Sequence, residues 1–452
     1  MIKRRTVDNA KWCCFLLLFS VFAMYHIVMT EQQGGDAMMF FSKALDGHSL
    51  SEYLIYRYYN WTSRVLIEVL VVFFSYHMRL FIIADFAVIL ILYLVVLRVT
   101  AEGSVFLVTG LFILYPFTEM ASAGWLATLI NYLFPLAACV LAYYPLDRIH
   151  RGEKVSRGMM VLSCLSALFG CNQEQFCLLY LGYLVYYGFR FVLKDPQRSG
   201  RFLYLAQLCI AFLSLLNVLV CPGNHMRSVS ETITWMPDFV QYNMIDKAVM
   251  GFNSTMMYLL NKSLVFAVFL VLLFVLTVVK SGAYPAKKRA VLRIFGIAPV
   301  LLLFAFQFCS SFFPVPFSYD YLSPVKMPNP VNWSSVTSYV PFVVLAALLC
   351  CILLTLLHLG NDVYTGLEYS MLFLLGLASR VVMGFSPTIY ASGVRTFMPL
   401  YSVLIVLTVK VFADNREYFR RNGALHAILR DVFGGLVALS AVYNIWAVSR
   451  IG

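Results

Sequence analysis

An all-α bundle that crosses a membrane many times is what this sequence predicts, and three observations carry that reading. Hydrophobic residues fill 61% of the 452 positions, charged residues only 12%, and the mean hydropathy is +0.80. Thirteen apolar runs approach the roughly 20 residues that a helix needs to cross a hydrocarbon core of about 30 Å. Most lysines and arginines fall in alternate intervals between those runs, the bias that orients multi-pass proteins. Composition therefore excludes a string of soluble domains. The net charge of +12 is read as an orienting device of the loops, and nucleic acid is excluded as a partner.

The first run, 12-29, follows Lys3, Arg4, Arg5 and Lys11. It begins like a signal peptide but lacks a small-residue cleavage site, so it is read as the first span, with the N-terminus cytoplasmic. A polar interval follows, and the whole stretch 30-79 is taken as the first outer loop, carrying juxtamembrane helices. Within it the segment 62-77 is apolar but short and holds Glu68. Counted as a span, it would turn every later cation-rich loop outward, so it is read as a helix lying in the outer interface. The remaining spans are expected near 80-98, 104-117, 127-145, 158-170, 176-193, 202-220, 256-279, 291-308, 339-357, 368-383, 397-412 and 432-449. Two of them, 158-170 and 368-383, are short. The polar residues after them are expected in a water-filled cavity, where irregular backbone is tolerated at membrane depth. No repeat or soluble linker breaks the chain, so 1-452 is read as a single integral membrane domain.

Most cysteines lie in apolar runs, where a thiol packs as a small apolar residue. Cys171 and Cys221 stand at span ends on the same side, where they either pair or simply pack. No Cys/His cluster has metal-ligand spacing, and His26, His77 and His358 are scattered. Soluble hydrolase, nucleotide and dinucleotide motifs are absent.

The two sets of loops differ in chemistry. Stretches such as DRIHRGEKVSR and KSGAYPAKKRA are solvated anchors. The other set joins glycine, proline and aromatics to single charges, in loops near 117-126, 171-175, 221-255, 309-338 and 384-396. It contains Asp36, Trp61, Arg64, Glu119, Trp125, Asn131, Asn172, Glu174, Asn224, His225, Arg227, Asp320, Trp333 and Arg395. Asp85, inside the second span, is read as the one clear exception to this one-sidedness.

Asp36 follows a Gly-Gly pair that permits a sharp turn or close backbone approach. Its carboxylate is suited to deprotonating a hydroxyl or to holding a divalent cation; the bland alternative is a helix N-cap. Trp61 and Arg64 are three apart, a spacing that sets an aromatic face and a guanidinium on one side of a helix, with Glu68 at i+4 from Arg64 as a structural partner. Arg227, after the turn in CPGNHMR, and Arg395, in SGVRTF, suit a lipid phosphate, because guanidinium binds phosphate through paired hydrogen bonds. Bulk anionic headgroups are the rival for Arg395. Glu119 and Glu174 read as interfacial glutamates paired with arginines or as supporting groups of a site. Trp125 reads as an interfacial anchor or a sugar platform, and Asn224 as a supporting group.

The acidic first loop with Asp36, NWTSR, GWLATLINYLFPL, CNQEQ with Glu174, CPGNHMR and VRTF together resemble the GT-C superfamily of polytopic membrane glycosyltransferases, in a poorly characterised bacterial branch. The resemblance covers most of the chain in span count and order. It implies a polyprenyl-phosphate sugar donor and an active site on the outer face of the plasma membrane, and an essential carboxylate in the first loop. Carried over by position, Asp36 is the catalytic base, while Arg227 and Arg395, with Arg64 beside them, hold the donor phosphate. Trp61, Glu119, Trp125, Glu174 and Asn224 are supporting groups. Gly35-Asp36 stands where many members have two adjacent acids, so a divalent cation held by paired carboxylates is not implied.

The expected function is transfer of a sugar from a polyprenyl-phosphate donor to a cell-envelope glycan or lipid-linked acceptor. The alternatives are a non-enzymatic transporter or flippase of a lipid-linked saccharide and an envelope polysaccharide polymerase or ligase. Membrane lipids are partners in each case.

Overall fold

The computed structural model describes residues 2–31, 35–100, 104–192, 200–282, 284–312 and 336–451. Asp320 and Trp333 lie outside them. The described chain is helical throughout. In order it forms α1 Ile2–Glu31, α2 Asp36–Met39, α3 Leu50–Asn60, α4 Val65–Tyr76, α5 Met78–Val99, α6 Val105–Leu114, α7 Trp125–His150, α8 Arg157–Gly170, α9 Glu174–Tyr187 and α10 Arg201–Val220. It continues as α11 Pro222–Trp235, α12 Met244–Lys262, α13 Leu264–Ser281, α14 Ala286–Phe312, α15 Val336–Leu359, α16 Val363–Val381, α17 Met398–Asp414, α18 Arg416–Arg421 and α19 Gly423–Val448.

Among the described residues ten helices are long and apolar enough to cross a membrane, which makes this a multi-pass membrane protein. They correspond to ten of the thirteen expected spans. The other three fall on α6, α8 and α9, of 10, 14 and 14 residues. At 1.5 Å of rise per residue α6 and α8 reach only about 15–21 Å, short of a full hydrocarbon core, whereas α9 continues without a break into the π-helical segment Gly188–Val192. One expected span is placed differently. The run 256-279 is interrupted at Ser263, whose side chain accepts a hydrogen bond from the Phe266 amide (3.1 Å) and starts α13. The first half of that run belongs to α12, which begins much earlier, behind a capping box of Asn243 and Asp246.

The bundle is held by apolar packing and by buried polar groups that satisfy one another. Gln207 of α10 donates to the Ala142 carbonyl (2.9 Å) and accepts from the Tyr180 hydroxyl (2.8 Å), tying α7, α9 and α10 together inside the apolar region. Buried amides without partners are costly, and this network leaves that one satisfied.

Chain direction gives the bundle two distinct ends. Lys280 donates to the carbonyls of Leu359 (2.9 Å) and Gly360 (3.1 Å), and Arg151 to that of Val99 (2.6 Å). Cations there meet helix C-termini, a favourable pairing with the helix dipole. At the opposite end lie α2, α3, α4 and α11 with the turns between long helices. The helix α4 lies across that end. Helices α5 and α9 both finish near the α7–α8 turn, through Val99 with Arg151 and Tyr187 with Leu146 (3.1 Å). Yet α4 begins beside the start of α9 and ends where His77 opens α5. Its 12 residues, about 18 Å long, thus connect two points on one end without traversing the bundle.

Candidate active site

The loop end is organised by NWTSR, which forms the turn between α3 and α4. Ser49 and Glu52 start α3 with a reciprocal capping box. At the turn, the Ser63 amide donates to Asn224 Oδ1 (3.2 Å) and its hydroxyl accepts from Asn224 Nδ2 (3.0 Å). The Ser63 carbonyl accepts from Asn172 and from Asn217, each at 3.4 Å. One serine thus gathers the α8–α9 turn, the end of α10 and the start of α11. Gly223 packs so tightly here that a Cβ would stand 2.5 Å from the Trp61 nitrogen and the Tyr58 oxygen. Cys221 donates to the Tyr58 carbonyl (3.1 Å), and both Cys171 and Cys221 are free thiols.

Two arginines take partners other than those the sequence suggests. Trp61 and Arg64 do not share a helix: Trp61 ends α3, and Arg64 precedes α4. Glu68 is therefore claimed by Arg57, whose Nε and Nη2 reach its two oxygens at 3.0 and 2.9 Å, with the Tyr53 hydroxyl at 2.8 Å. Arg57 also lies 5.5 Å over the Trp61 ring. Arg64 donates instead to Glu174 (2.8 Å) and Asn131 (3.0 Å). Burial opposes both charges, but Arg64 and Arg227 hold Glu174 below the usual carboxylate range.

Arg227 sits one turn beyond Asn224 on α11, half-buried, beside the Arg64–Glu174 pair. Its guanidinium has no hydrogen-bond or ion-pair partner among the described residues. Burial and the charge of Arg64 pull its pKa down, and Glu174 pulls it up. The cluster of Arg64, Glu174 and Arg227 carries one more positive charge than negative, a natural setting for an anion.

Asp36 opens the short α2 after Gly35, whose φ of 77° and ψ of −159° suit glycine alone. A Cβ on Gly35 would stand 2.7 Å from the Gly124 Cα. Gly35 holds the N-cap position of α2 and Asp36, exposed, is its first residue, so the helix-cap alternative is not realised. Loss of hydration pushes its pKa above the usual aspartate range, against the pull of Arg395 and Arg57. Arg395 follows Gly393 (φ 62°), is half-buried, and has no hydrogen-bond or ion-pair partner among the described residues.

The structure thus sets Asp36 within electrostatic reach of Arg395 and Arg57, and pairs Arg64 with Glu174 within electrostatic reach of Arg227. It withdraws Trp125 and Glu119 from the surface. Trp125 is 4% exposed, packed edge-on against His26 and Phe81, so neither the interfacial-anchor nor the sugar-platform position is observed. Glu119, 1% exposed, accepts the hydroxyl of Tyr258. Its short 3₁₀ turn is fixed by Asn444, which bonds Ile113, Tyr115 and Phe117 backbone groups at 2.8–3.2 Å. Burial pushes Glu119 up to about 8, against the neighbouring hydroxyls of Tyr258, Tyr115 and Tyr401 and the charge of Arg380.

Arg380 is the functional candidate that sequence reasoning missed. It lies inside an apolar run, so it contradicts the reading of Asp85 as the one charge within the spans. An ionisable side chain in that position was itself the signal. Asp85 for its part is fully buried against His26 (2.7 Å). The other ring nitrogen of His26 must donate to the Phe22 carbonyl (2.6 Å), so His26 and Asp85 share one proton.

Beneath this end a cavity of about 190 Å³ runs between α5, α7, α9, α16 and α17. Its lining is almost wholly apolar, and Tyr115 and Tyr401, 5.1 Å apart, belong to it near Glu119. Among the described residues no group of three or more His, Cys, Asp or Glu side chains is placed to hold a metal ion. No family model, curated protein or solved structure matches the chain.

Proposed function

We propose that the chain is a membrane glycosyltransferase that moves a sugar from a polyprenyl-phosphate donor to a cell-envelope glycan or lipid-linked acceptor. The reaction is assigned to the outer face of the plasma membrane, where the cation-poor loops gather if the positive loops are cytoplasmic. The observation that supports the reading is Asp36: an exposed carboxylate that feels the charge of Arg395, whose guanidinium has no partner among the described residues. A base and a phosphate-binding charge at opposite ends of one gap are what a displacement at a sugar phosphate requires.

In this mechanism the Asp36 carboxylate takes the proton of the acceptor hydroxyl. The acceptor oxygen forms a bond to the anomeric carbon as the bond to the donor phosphate breaks, with inversion. The departing phosphate keeps the electron pair, and Arg395 and Arg227 stabilise its charge. The raised pKa of Asp36 favours it as a proton acceptor over an ordinary surface aspartate. Arg64 acts indirectly, by holding Glu174 against Arg227.

The test incubates purified protein in lipid nanodiscs with radiolabelled polyprenyl-phosphate hexoses and an envelope extract, comparing native protein with Asp36→Asn. Transfer that survives the substitution unchanged removes Asp36 as the base. The buried His26–Asp85 pair favours a second reading, transport of a lipid-linked saccharide. Translocation of a labelled lipid in sealed vesicles that stops in Asp85→Asn and persists in Asp36→Asn would select it.

A further inference from the structure

Arg380 is the most demanding side chain in the molecule. It is 0% exposed, and its Nε and Nη1 have no hydrogen-bond partner. Nη2 reaches only the Ile389 carbonyl, at a long 3.4 Å. The Phe397 ring covers one face of the guanidinium, 4.4 Å from Cζ. An aromatic face offsets part of the cost of burying a cation but satisfies no N–H. A guanidinium cannot discard its proton near neutral pH, so the remedy open to other buried bases is closed to it.

Among the described residues no carboxylate forms an ion pair with this charge. Glu119 exerts a charge effect on Arg380, but no ion pair joins them, and one Glu119 oxygen is itself without a partner. Burial also keeps Glu119 largely neutral at neutral pH. Buried charges are normally paired. Two N–H groups of Arg380 thus have no acceptor among the described residues, and they suit an anion from outside the chain.

The neighbouring space indicates what else that anion carries. Phe397 and Tyr401 are one helical turn apart, and Tyr258, whose ring stacks 4.1 Å from Phe397, donates to Glu119. Tyr401 and Met398 line the apolar cavity, and on α16 the cavity residue Leu375 lies five positions before Arg380. Along α7 the cavity runs from Leu133 to Tyr143, about 15 Å at 1.5 Å per residue. That is about half the depth of a hydrocarbon core. A slot of that length accommodates one flexible hydrocarbon chain, and Met398, which lines it, directly follows the Phe397 that covers the Arg380 guanidinium.

We infer that Arg380 and the adjoining cavity form a binding site for an anionic lipid, with the oxyanion on Nε and Nη1 of Arg380 and one hydrocarbon chain between α5, α7, α9, α16 and α17. This deepens the glycosyltransferase reading by naming where the donor lipid is held, and it adds a fully buried cation to the half-buried arginines already assigned to phosphate. The oxyanion chemistry would suit a free phosphate as well; the cavity selects the lipid.

Binding decides the matter without sugar transfer. The probes are a long-chain polyprenyl monophosphate, the corresponding uncharged polyprenol, and inorganic phosphate, each titrated against purified protein. Arg380→Gln is expected to weaken the polyprenyl monophosphate about ten- to hundred-fold, the worth of one or two charge-assisted hydrogen bonds, and to leave the polyprenol unchanged. Val140→Phe, which narrows the cavity away from the charge, is expected to weaken both lipids and decides the question if Arg380→Gln does not fold. Equal binding of the phosphate lipid by native and Arg380→Gln protein overturns the site. Inorganic phosphate that binds native and Val140→Phe protein alike, as tightly as the lipid does, overturns the lipid as occupant. Asp36→Asn is expected to bind the lipid normally, so loss of transfer and loss of binding are separable.

Discussion

Arg64 and Glu174, 110 positions apart, meet at 2.8 Å, and the same guanidinium reaches Asn131 at 3.0 Å. This contact joins the first loop to the starts of α7 and α9, and it holds Arg227 beside a carboxylate. The polar end of the protein is therefore assembled by ion pairs between distant segments rather than within single helices.

Breaking that pair by one partner is expected to be costly. Glu174→Gln leaves Arg64 and Arg227 as neighbouring, half-buried cations, and loss of one member of a buried pair typically costs about 3–5 kcal/mol, an upper bound for this one. Thermal unfolding in detergent should show the loss, and Arg64→Met combined with Glu174→Leu should recover part of it. If Glu174→Gln unfolds at the native temperature, the pair is decorative.

Asp36→Asn should behave in the opposite manner. The side chain is exposed and unbonded, so stability is expected to hold within about 0.5 kcal/mol. Sugar transfer is expected to fall about 10²- to 10⁴-fold, the usual worth of a positioned base. Initial rates at saturating acceptor separate this from a weakened affinity.

Gly35→Ala tests the backbone beneath that carboxylate. A side chain there meets a backbone region reserved for glycine and the Gly124 backbone at 2.7 Å. The strain should cost roughly 1–3 kcal/mol. Transfer should fall along with stability, because relief of the clash moves Asp36. A Gly35→Ala protein as stable and active as native would show that the two loops need not touch.

Glu119 should make stability depend on pH. Its folded pKa, about 8, is raised above the ordinary 4.5, so the folded state binds the proton more tightly than the unfolded one. Its contribution favours folding at low pH and fades as pH rises through the interval from 4.5 to about 8. The groups facing it are Tyr258, Tyr115, Tyr401 and Arg380, and none of these titrates in that interval. Unfolding temperatures measured across it should fall with rising pH, and Glu119→Gln should flatten that slope.

The fold was largely legible in the sequence because length and hydropathy alone decide which helices can cross a bilayer. What escaped was a single serine: Ser263 ends one helix and starts another inside an unbroken apolar run, and hydropathy cannot register one hydroxyl. At the polar end, isolated charges beside glycine marked Asp36, Arg227 and Arg395. Their partners were less legible. Glu68 stands at i+4 from Arg64, but that spacing means contact only within one helix, and Arg64 precedes the helix that carries Glu68. Arg57, a full turn before Trp61, took its place. Arg380 escaped because attention to polar loops passed over an ion enclosed in an apolar segment.

The serine that joins Asn172, Asn217 and Asn224 has a consequence for biosynthesis. Three of the segments meeting at Ser63 are made long after it, the last when about half the chain has left the ribosome. Until then NWTSR lacks those partners, and a nascent chain halted before Asn224 carries an unfinished polar end. The junction at Ser63 is therefore completed late, in one closing step, rather than built up span by span.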